Sequence, residues 1–306
     1  EQGIISNMDY ERFSGRLNVD HRINDTFKIG ASFLIAHSIQ NWGSNATMGE
    51  ALANNPLGVP FDENGELRFL PTNDGIRTNP LNELVDGAFV DERKWTRIFA
   101  PISLDINITE GLQWKTLFGP DIRLGRRGEF RGSLTNDNRG GPGDAAITHS
   151  DNFAYTIENL LTFDKEVFSD QNLKVTLLQS VQSSRTEIAQ ASTTGIPYES
   201  QKFFNLGSAA NRNVASRLTE WTLASFMGRL NYDIGGKYLF QASLRADGSS
   251  RLAEGNKWNY FPGASIGWRM SEEQFLADTS VSQLMLRASY GEVGNTSVNP
   301  YQTAGR

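Results

Sequence analysis

In residues 11–23, ERFSGRLNVDHRI, the odd positions Phe13, Gly15, Leu17, Val19 and Ile23 are apolar or small, while Arg12, Arg16, Asp20 and Arg22 take even positions. Successive side chains on a strand point to opposite faces, so this segment reads as a long strand with one apolar and one charged face. The next segment, TFKIGASFLIAHSI, keeps Phe27, Ile29, Ala31, Phe33, Ile35 and Ile39 on odd numbers and Lys28 on the other set. A one-residue slip between two such strands would set an apolar face against a polar one. Opposed residues must therefore sum to an even number. The spacing predicts Ile23 opposite Phe27 and a three-residue turn, Asn24-Asp25-Thr26.

The same device recurs along the chain. Ile98, Ala100, Ile102, Leu104, Ile106 and Ile108 share one face of 97–108, answered by Leu112, Trp114, Thr116 and Phe118 across Thr109-Glu110-Gly111. Gly111 falls where a three-residue hairpin needs a left-handed residue. Phe226, Leu230, Tyr232 and Ile234 lead through Gly235-Gly236-Lys237 to Tyr238, Phe240 and Leu244, with Arg229 on the polar set. Further strands are predicted at 151–163, 173–185, 260–269 and 284–291, about ten in all, and a short helix only at Ser271–Ala277. Many strands are predicted at about 10 to 14 residues, against roughly 5 to 6 in soluble proteins.

Connection lengths carry the next inference. Short ones (24–26, 109–111, 164–172, 235–237) alternate with long ones (40–94, 120–150, 186–217, 246–259) rich in Gly, Asn, Pro and Asp. Long structureless loops are foreign to compact soluble domains. They are ordinary at the outer end of a membrane barrel, whose other end has tight turns. The expectation is an all-β, antiparallel up-and-down transmembrane β-barrel segment with long extracellular loops and short periplasmic turns. Phe27, Phe163, Tyr232 and Tyr238 beside the short turns, and Trp42 and Trp95 flanking the longest loop, are expected to form interfacial girdles.

Composition agrees. A mean hydropathy of −0.43 excludes a helical membrane bundle but not a barrel, whose strands are only half apolar. The chain has 306 residues and a net charge of −6, which argues against a nucleic-acid partner. The absence of cysteine rules out disulfides and thiolate metal sites.

The segment YLFQASLRADGSSRLAEGNKWNYFPGASIGWRMSEEQFL, followed by LMLRASYGEVGN, resembles the SusC/RagA family of TonB-linked outer-membrane proteins. The matching positions are Leu244, Arg245, Asp247, Gly248, Ser249, Ser250 and Arg251, then Trp258, Phe261, Pro262, Gly267, Trp268 and Arg269. Ser271–Glu273, Leu286–Gly291, Gly294 and Asn295 continue the match. The opening strands and the loop NNPLGVPFDENGEL … NPLNEL are also family-like, so the similarity covers most of the chain. Ala246 and Leu252 depart from it, where larger or aromatic residues are expected. The resemblance implies about ten of roughly 22 barrel strands, all of 1–306 lying within one TonB-dependent-receptor barrel domain. Signal peptide, plug and C-terminal strands are expected to lie outside the chain, which would be an internal segment.

By that resemblance the protein is a cell outer-membrane importer of oligosaccharides, or of peptides. It would be served by a SusD-like surface lipoprotein and driven by the TonB complex through a region outside this chain. The rival reading from another class is a soluble β-rich carbohydrate-binding module, with short strands and apolar faces buried between two sheets.

No residue pattern calls for covalent chemistry, a metal or a cofactor. Three histidines, His21 and His37 on apolar strand faces and His149 in a loop, make no ligand set. DENGE (62–66) fails the calcium-loop pattern and reads as a turn. Asp247 and Gly248 are expected to make a turn, with Ser249, Ser250 and the arginines bonding around it. Arg12, Arg16, Asp20, Lys28 and Arg229 are candidate lumen-facing residues, since a charge on the lipid face costs about 2–4 kcal/mol near the midplane. In the longest loop Trp42, Asn54, Asn55, Phe61, Asp62, Asn64 and Phe69 combine aromatic faces with amides and an acid. That mixture suits a glycan, or the partner lipoprotein.

Overall fold

The computed structural model of the chain describes residues 3, 5–72, 75–277, 279–296 and 298–303. Eleven strands follow in order: β1 (Asp9–Arg22), β2 (Phe27–Asn41), β3 (Phe89–Phe99), β4 (Ile102–Thr109), β5 (Leu112–Arg131) and β6 (Gly143–Phe168). After them come β7 (Gln171–Ile196), β8 (Asn211–Ile234), β9 (Tyr238–Ser249), β10 (Trp258–Arg269) and β11 (Met285–Gly291). All lie in one antiparallel meander with β1 and β11 at its edges.

Register follows the alternation. Leu17 pairs with Phe33 and Arg22 with Lys28, and the Ile23 amide donates to the Phe27 carbonyl at 3.0 Å across the 24–26 turn. Ile234 pairs with Tyr238 across 235–237, where Gly235 and Gly236 both have positive φ. The 97–108 strand is split at Ala100-Pro101, because proline has no N–H to give the ladder. Its halves, β3 and β4, keep one register against both neighbours: Phe99 meets Asp121 and Ile102 meets Phe118. The hairpin after β4 is tighter than predicted. Thr109 pairs with Leu112 and the register shifts past Ile108, so a bulge replaces the third loop residue and Gly111 takes φ +79.

The apolar set therefore stays on one face across the sheet. Ile35, Ile98, Ile122 and Phe153 stand in one cross-strand row; a second row on the same face joins Phe226, Ala246 and Tyr260 to the polar Thr116, Asn159 and Gln179, where Asn159 donates to Gln179 at 2.7 Å. Leu17, Phe33, Ile102 and Phe240 are 63%, 44%, 52% and 44% exposed, and among the described residues no second sheet covers them. A sandwich would have buried them. On β6 this belt runs from Phe163 to Phe153, a separation of ten residue steps that at a tilt of about 40° rises roughly 25 Å, the height of a lipid-facing band. Phe27, Phe163, Tyr232 and Tyr238 lie on this face near the turns as expected. Trp42 and Trp95 do not: both belong to the polar face.

Beyond the belt the strands continue where loops are predicted. The 120–150 and 186–217 regions shrink to loops at 132–142 and 197–210, since β5 runs to Arg131, β6 starts at Gly143, β7 reaches Ile196 and β8 starts at Asn211. His149 is thus a strand residue opposite Arg126, not a loop residue. The 40–94 and 246–259 loops contract to 42–88 and 250–257, and the 164–172 connection to Ser169-Asp170. The 270–284 connection breaks the length rule on the short-turn side. In it the helix predicted at Ser271–Ala277 is two single 3-10 turns.

An unpredicted helix, α1 (Asn45–Ala53), opens the long 42–88 loop, capped by Ser44 accepting from the Ala46 amide. Its buried residues are Thr47 and Glu50, so no apolar stripe announced it. The apolar cluster Phe130, Ala145, Ile196, Phe203 and Ala209 forms where the 197–210 loop folds back over β5 and β6. Phe203 lies against Gly128, where any Cβ would fall 2.5 Å from its ring.

Candidate functional site on the polar face

Asp91, Arg93, Trp95 and Arg97 alternate along β3, opposite Glu129, Arg127, Gly125 and Arg123 of β5. All eight share the polar face, from the upper edge of the belt outward. Arg127 donates through Nε and Nη2 to both Asp91 oxygens (2.9 and 2.8 Å), and Arg93 does the same (3.1 and 2.8 Å). Asp121 accepts a second such fork from Arg97 (2.8 and 2.8 Å) and Arg123 on the same oxygens (3.4 and 2.8 Å). Four guanidiniums thus share two carboxylates, and the Nη1 of each stays outside these bonds. Arg127 also reaches Glu129 at 2.8 Å, and Arg131 bonds Asp144 at 3.3 Å.

The rungs around Asp91 and Glu129 lie above the belt, since Glu92, Lys94 and Arg126 occupy the opposite face there. Burial pushes the Asp91 carboxyl up, but the bonds from Arg127 and Arg93 outweigh it and hold the group below the usual carboxylate range. Burial holds Glu129 above that range.

Aromatic surfaces flank the ladder. The Trp42 ring lies 4.2 Å from the Arg93 guanidinium, and Trp95, 46% exposed, covers Gly125, where a Cβ would meet its ring at 2.4 Å. Next to Glu129 and Arg131 a concavity of about 390 Å³ is lined by Asp144, Gln190, Ser192, Thr194, Asn211 and Asn213. Over all strands the polar face carries sixteen Lys or Arg against eleven Asp or Glu. The whole chain has the opposite balance, 29 against 35. A second concavity, about 570 Å³ between Leu161, Leu177, Phe226 and Leu244, belongs to the apolar belt.

The predicted site residues divide between faces and roles. Arg12, Arg16, Asp20, Lys28 and Arg229 all fall on the polar face, with Lys28 3.2 Å from Asp20. In the long loop several candidates hold the fold. Asn54 donates to the Glu50 and Thr78 carbonyls at 2.9 Å each, and Asn55 accepts from the Leu57 amide at 3.0 Å. Asp62 accepts from the Asn64 and Glu66 amides at 2.9 Å each, closing a turn whose ends, Phe61 and Leu67, form a bridge. Phe69 is half-buried, its carbonyl accepting from the Asn79 amide at 2.9 Å. Trp42, Phe61 and Asn64 keep exposed side chains.

Other residues that organise this loop are not among those candidates. Asn79, Asn82 and Glu83 of NPLNEL are buried. Asn79 donates to the Pro60 and Arg68 carbonyls and accepts from the Leu81 amide, and Glu83 accepts from the Asn136 amide at 2.6 Å, joining this loop to 132–142.

The family-like residues of β9 and β10 are structural. Asp247 and Gly248 are strand residues, not a turn: Asp247 takes Arg245 Nε on both oxygens and Gly248 lies beneath the Trp258 ring. Ser249 and Ser250 do bond around the chain reversal, accepting from the Arg251 and Thr222 amides, and Arg251 stacks on Trp221 at 4.1 Å. Phe261 and Pro262 pair with Arg245 and Leu244. Gly267 admits Met285, the Arg269 amide donates to the Lys237 carbonyl, and Trp268 donates to Glu273 at 3.1 Å.

An extended meander with an exposed apolar belt, a charged opposite face and, the 270–284 connection aside, its longer loops gathered at one end is the wall of an outer-membrane β-barrel. Comparison with known proteins agrees. The TonB-dependent receptor P3 of Formosa agariphila is 30% identical over 312 residues, covering 99% of this chain and 31% of that protein. The TonB-dependent receptor SusC of Bacteroides thetaiotaomicron is 42% identical over 88 residues, 28% of this chain and 9% of that one. No family model matches. The solved structure of the RagAB peptide transporter superposes with a TM-score of 0.79 over 95% of this chain and 34% of that one, a likeness of fold at 21% identity. The chain is a SusC/RagA-like outer-membrane segment, similar in sequence to TonB-dependent receptors. It spans about a third of the length of the curated relatives it matches end to end.

Proposed function

We propose that the chain forms part of a single, larger barrel domain that imports oligosaccharides, or peptides, across the outer membrane. A SusD-like lipoprotein would hand over the substrate, and the TonB complex would supply energy through a region outside this chain. The observation that carries this reading is the separation of faces over eleven strands: lipid-compatible on one, charged on the other. Arg12, Arg16, Asp20, Lys28 and Arg229 face the lumen in this reading. Peptides are the alternative cargo, as in the peptide transporter whose fold this chain shares.

The rim loop supports a partner. Met48, Leu52, Leu57, Val59 and Phe61 expose apolar side chains on a loop whose polar residues hold its own fold. On this reading, changing Leu52, Leu57 and Phe61 together to Ser in the full-length protein removes lipoprotein co-purification while the barrel still assembles. Retained co-purification would refute the loop's role. Epitope tags test the sidedness: a tag within 62–66 should be reached on intact cells and one at Gly235-Gly236 should not. Surface exposure of the Gly-Gly tag would overturn the topology and with it the importer reading.

A further inference from the structure

Resting on the importer reading, we propose that the β3–β5 ladder selects an acidic oligosaccharide, with carboxylate or sulfate groups on its sugar rings. Three observations converge on this site. Asp91 and Asp121 each hold two guanidiniums, and with Glu129 counted the four arginines still exceed the three carboxylates by one charge, with an unused Nη1 on Arg93, Arg97, Arg123 and Arg127. A planar guanidinium presents its donors in the geometry that carboxylate and sulfate oxygens accept. The carboxylates also pin the arginines in place, so little side-chain freedom is lost on binding.

Aromatic rings stand among these donors. Trp42 lies on Arg93, and Trp95, between Arg93 and Arg97 on β3, exposes almost half its surface. An indole face covers the apolar side of a pyranose, which an extended acidic peptide does not offer, and this favours sugar over peptide. Beyond the ladder, the 390 Å³ concavity adds amide and hydroxyl groups suited to sugar hydroxyls. The basic excess of the whole polar face, in a chain that is acidic overall, would draw a polyanion inward.

Binding to the purified full-length protein tests this. The probes are oligogalacturonate, the same oligomer with its carboxyls reduced to alcohols, κ-carrageenan oligosaccharide as the sulfate arm, and tetraglutamate. The expected result is at least tenfold tighter binding of oligogalacturonate or the sulfated sugar than of the reduced oligomer, weakening as salt rises. The preference should vanish in a triple Arg97→Gln, Asp121→Asn, Arg123→Gln variant, which keeps neutral hydrogen-bonding partners in place of the ions. A second variant, Arg93→Gln with Asp91→Asn and Arg127→Gln, covers the case in which the first does not fold. Equal binding of charged and reduced sugar, or a charge preference unchanged in the folded variants, would overturn the inference while leaving the importer reading intact. Tighter binding of tetraglutamate than of either acidic sugar would overturn the sugar assignment. If no probe bound and the cells took up neither sugar nor peptide, both readings would fall.

Discussion

Asn79 is the side chain on which the long loop turns. Its amide ties Pro60 and Arg68 carbonyls together and its oxygen caps the Leu81 amide, all in a buried setting. Asn79→Ala leaves those groups unpaired, at a local cost of about 2–4 kcal/mol. The loop should then be cut by protease within 54–77 under conditions that spare the unaltered protein. Asp91 gives a pH test at the same scale. Its folded pKa lies below the unfolded one, so its stabilising effect is complete above the ordinary carboxylate range, about pH 4, and is lost as pH falls through the folded value. Protection of the neighbouring 42–88 loop should hold from pH 8 to 5 and decline only below about pH 4. In Asp91→Asn that acid-dependent step should be diminished, and an equal step in both proteins would contradict the role given to this carboxylate.

At the scale of elements, the 197–210 loop is held to the wall mainly by Phe203, set between Gly128 and the Arg126 guanidinium. Phe203→Ala should cost about 3–5 kcal/mol in that attachment and expose the loop to proteolysis, with β5 and β6 still paired beneath it. Which elements could be read from the sequence follows from the lipid belt. Where one face must be apolar, period-two alternation fixes strand and register, as Leu17 opposite Phe33 shows. Above the belt both faces are wet and the contrast vanishes. Arg185, Thr186 and Glu187 are polar on both sides of β7, so the continuing strand looks like a loop. The ladder lay hidden for the same reason, although Arg123, Gly125, Arg127, Glu129 and Arg131 do alternate within RLGRRGEFR. Helix α1 left no trace because its buried contacts are made by Thr47 and Glu50.

The whole molecule is a wall with two chemistries. Among the described residues the one buried apolar cluster is the small group around Phe130 and Phe203, while many large apolar side chains are exposed along a belt suited to lipid and more of the strand charges gather on the other side. The strands outrun that belt. A 26-residue strand is about 86 Å long, so β6 and β7 carry the polar wall well past the membrane and hold the ladder and rim loops outside it. Single-cysteine labelling of the full-length protein in its membrane tests the assignment of faces most directly, with a water-soluble, membrane-impermeant maleimide as reagent. Cysteines at Arg12, Arg16, Asp20 and Arg229 should react. Those at Leu17, Val19, Ile29, Phe33, Ile102, Leu104, Leu230 and Phe240 should stay protected by lipid and react only after detergent extraction. Preferential labelling of the Leu17 set in the intact membrane would contradict the account.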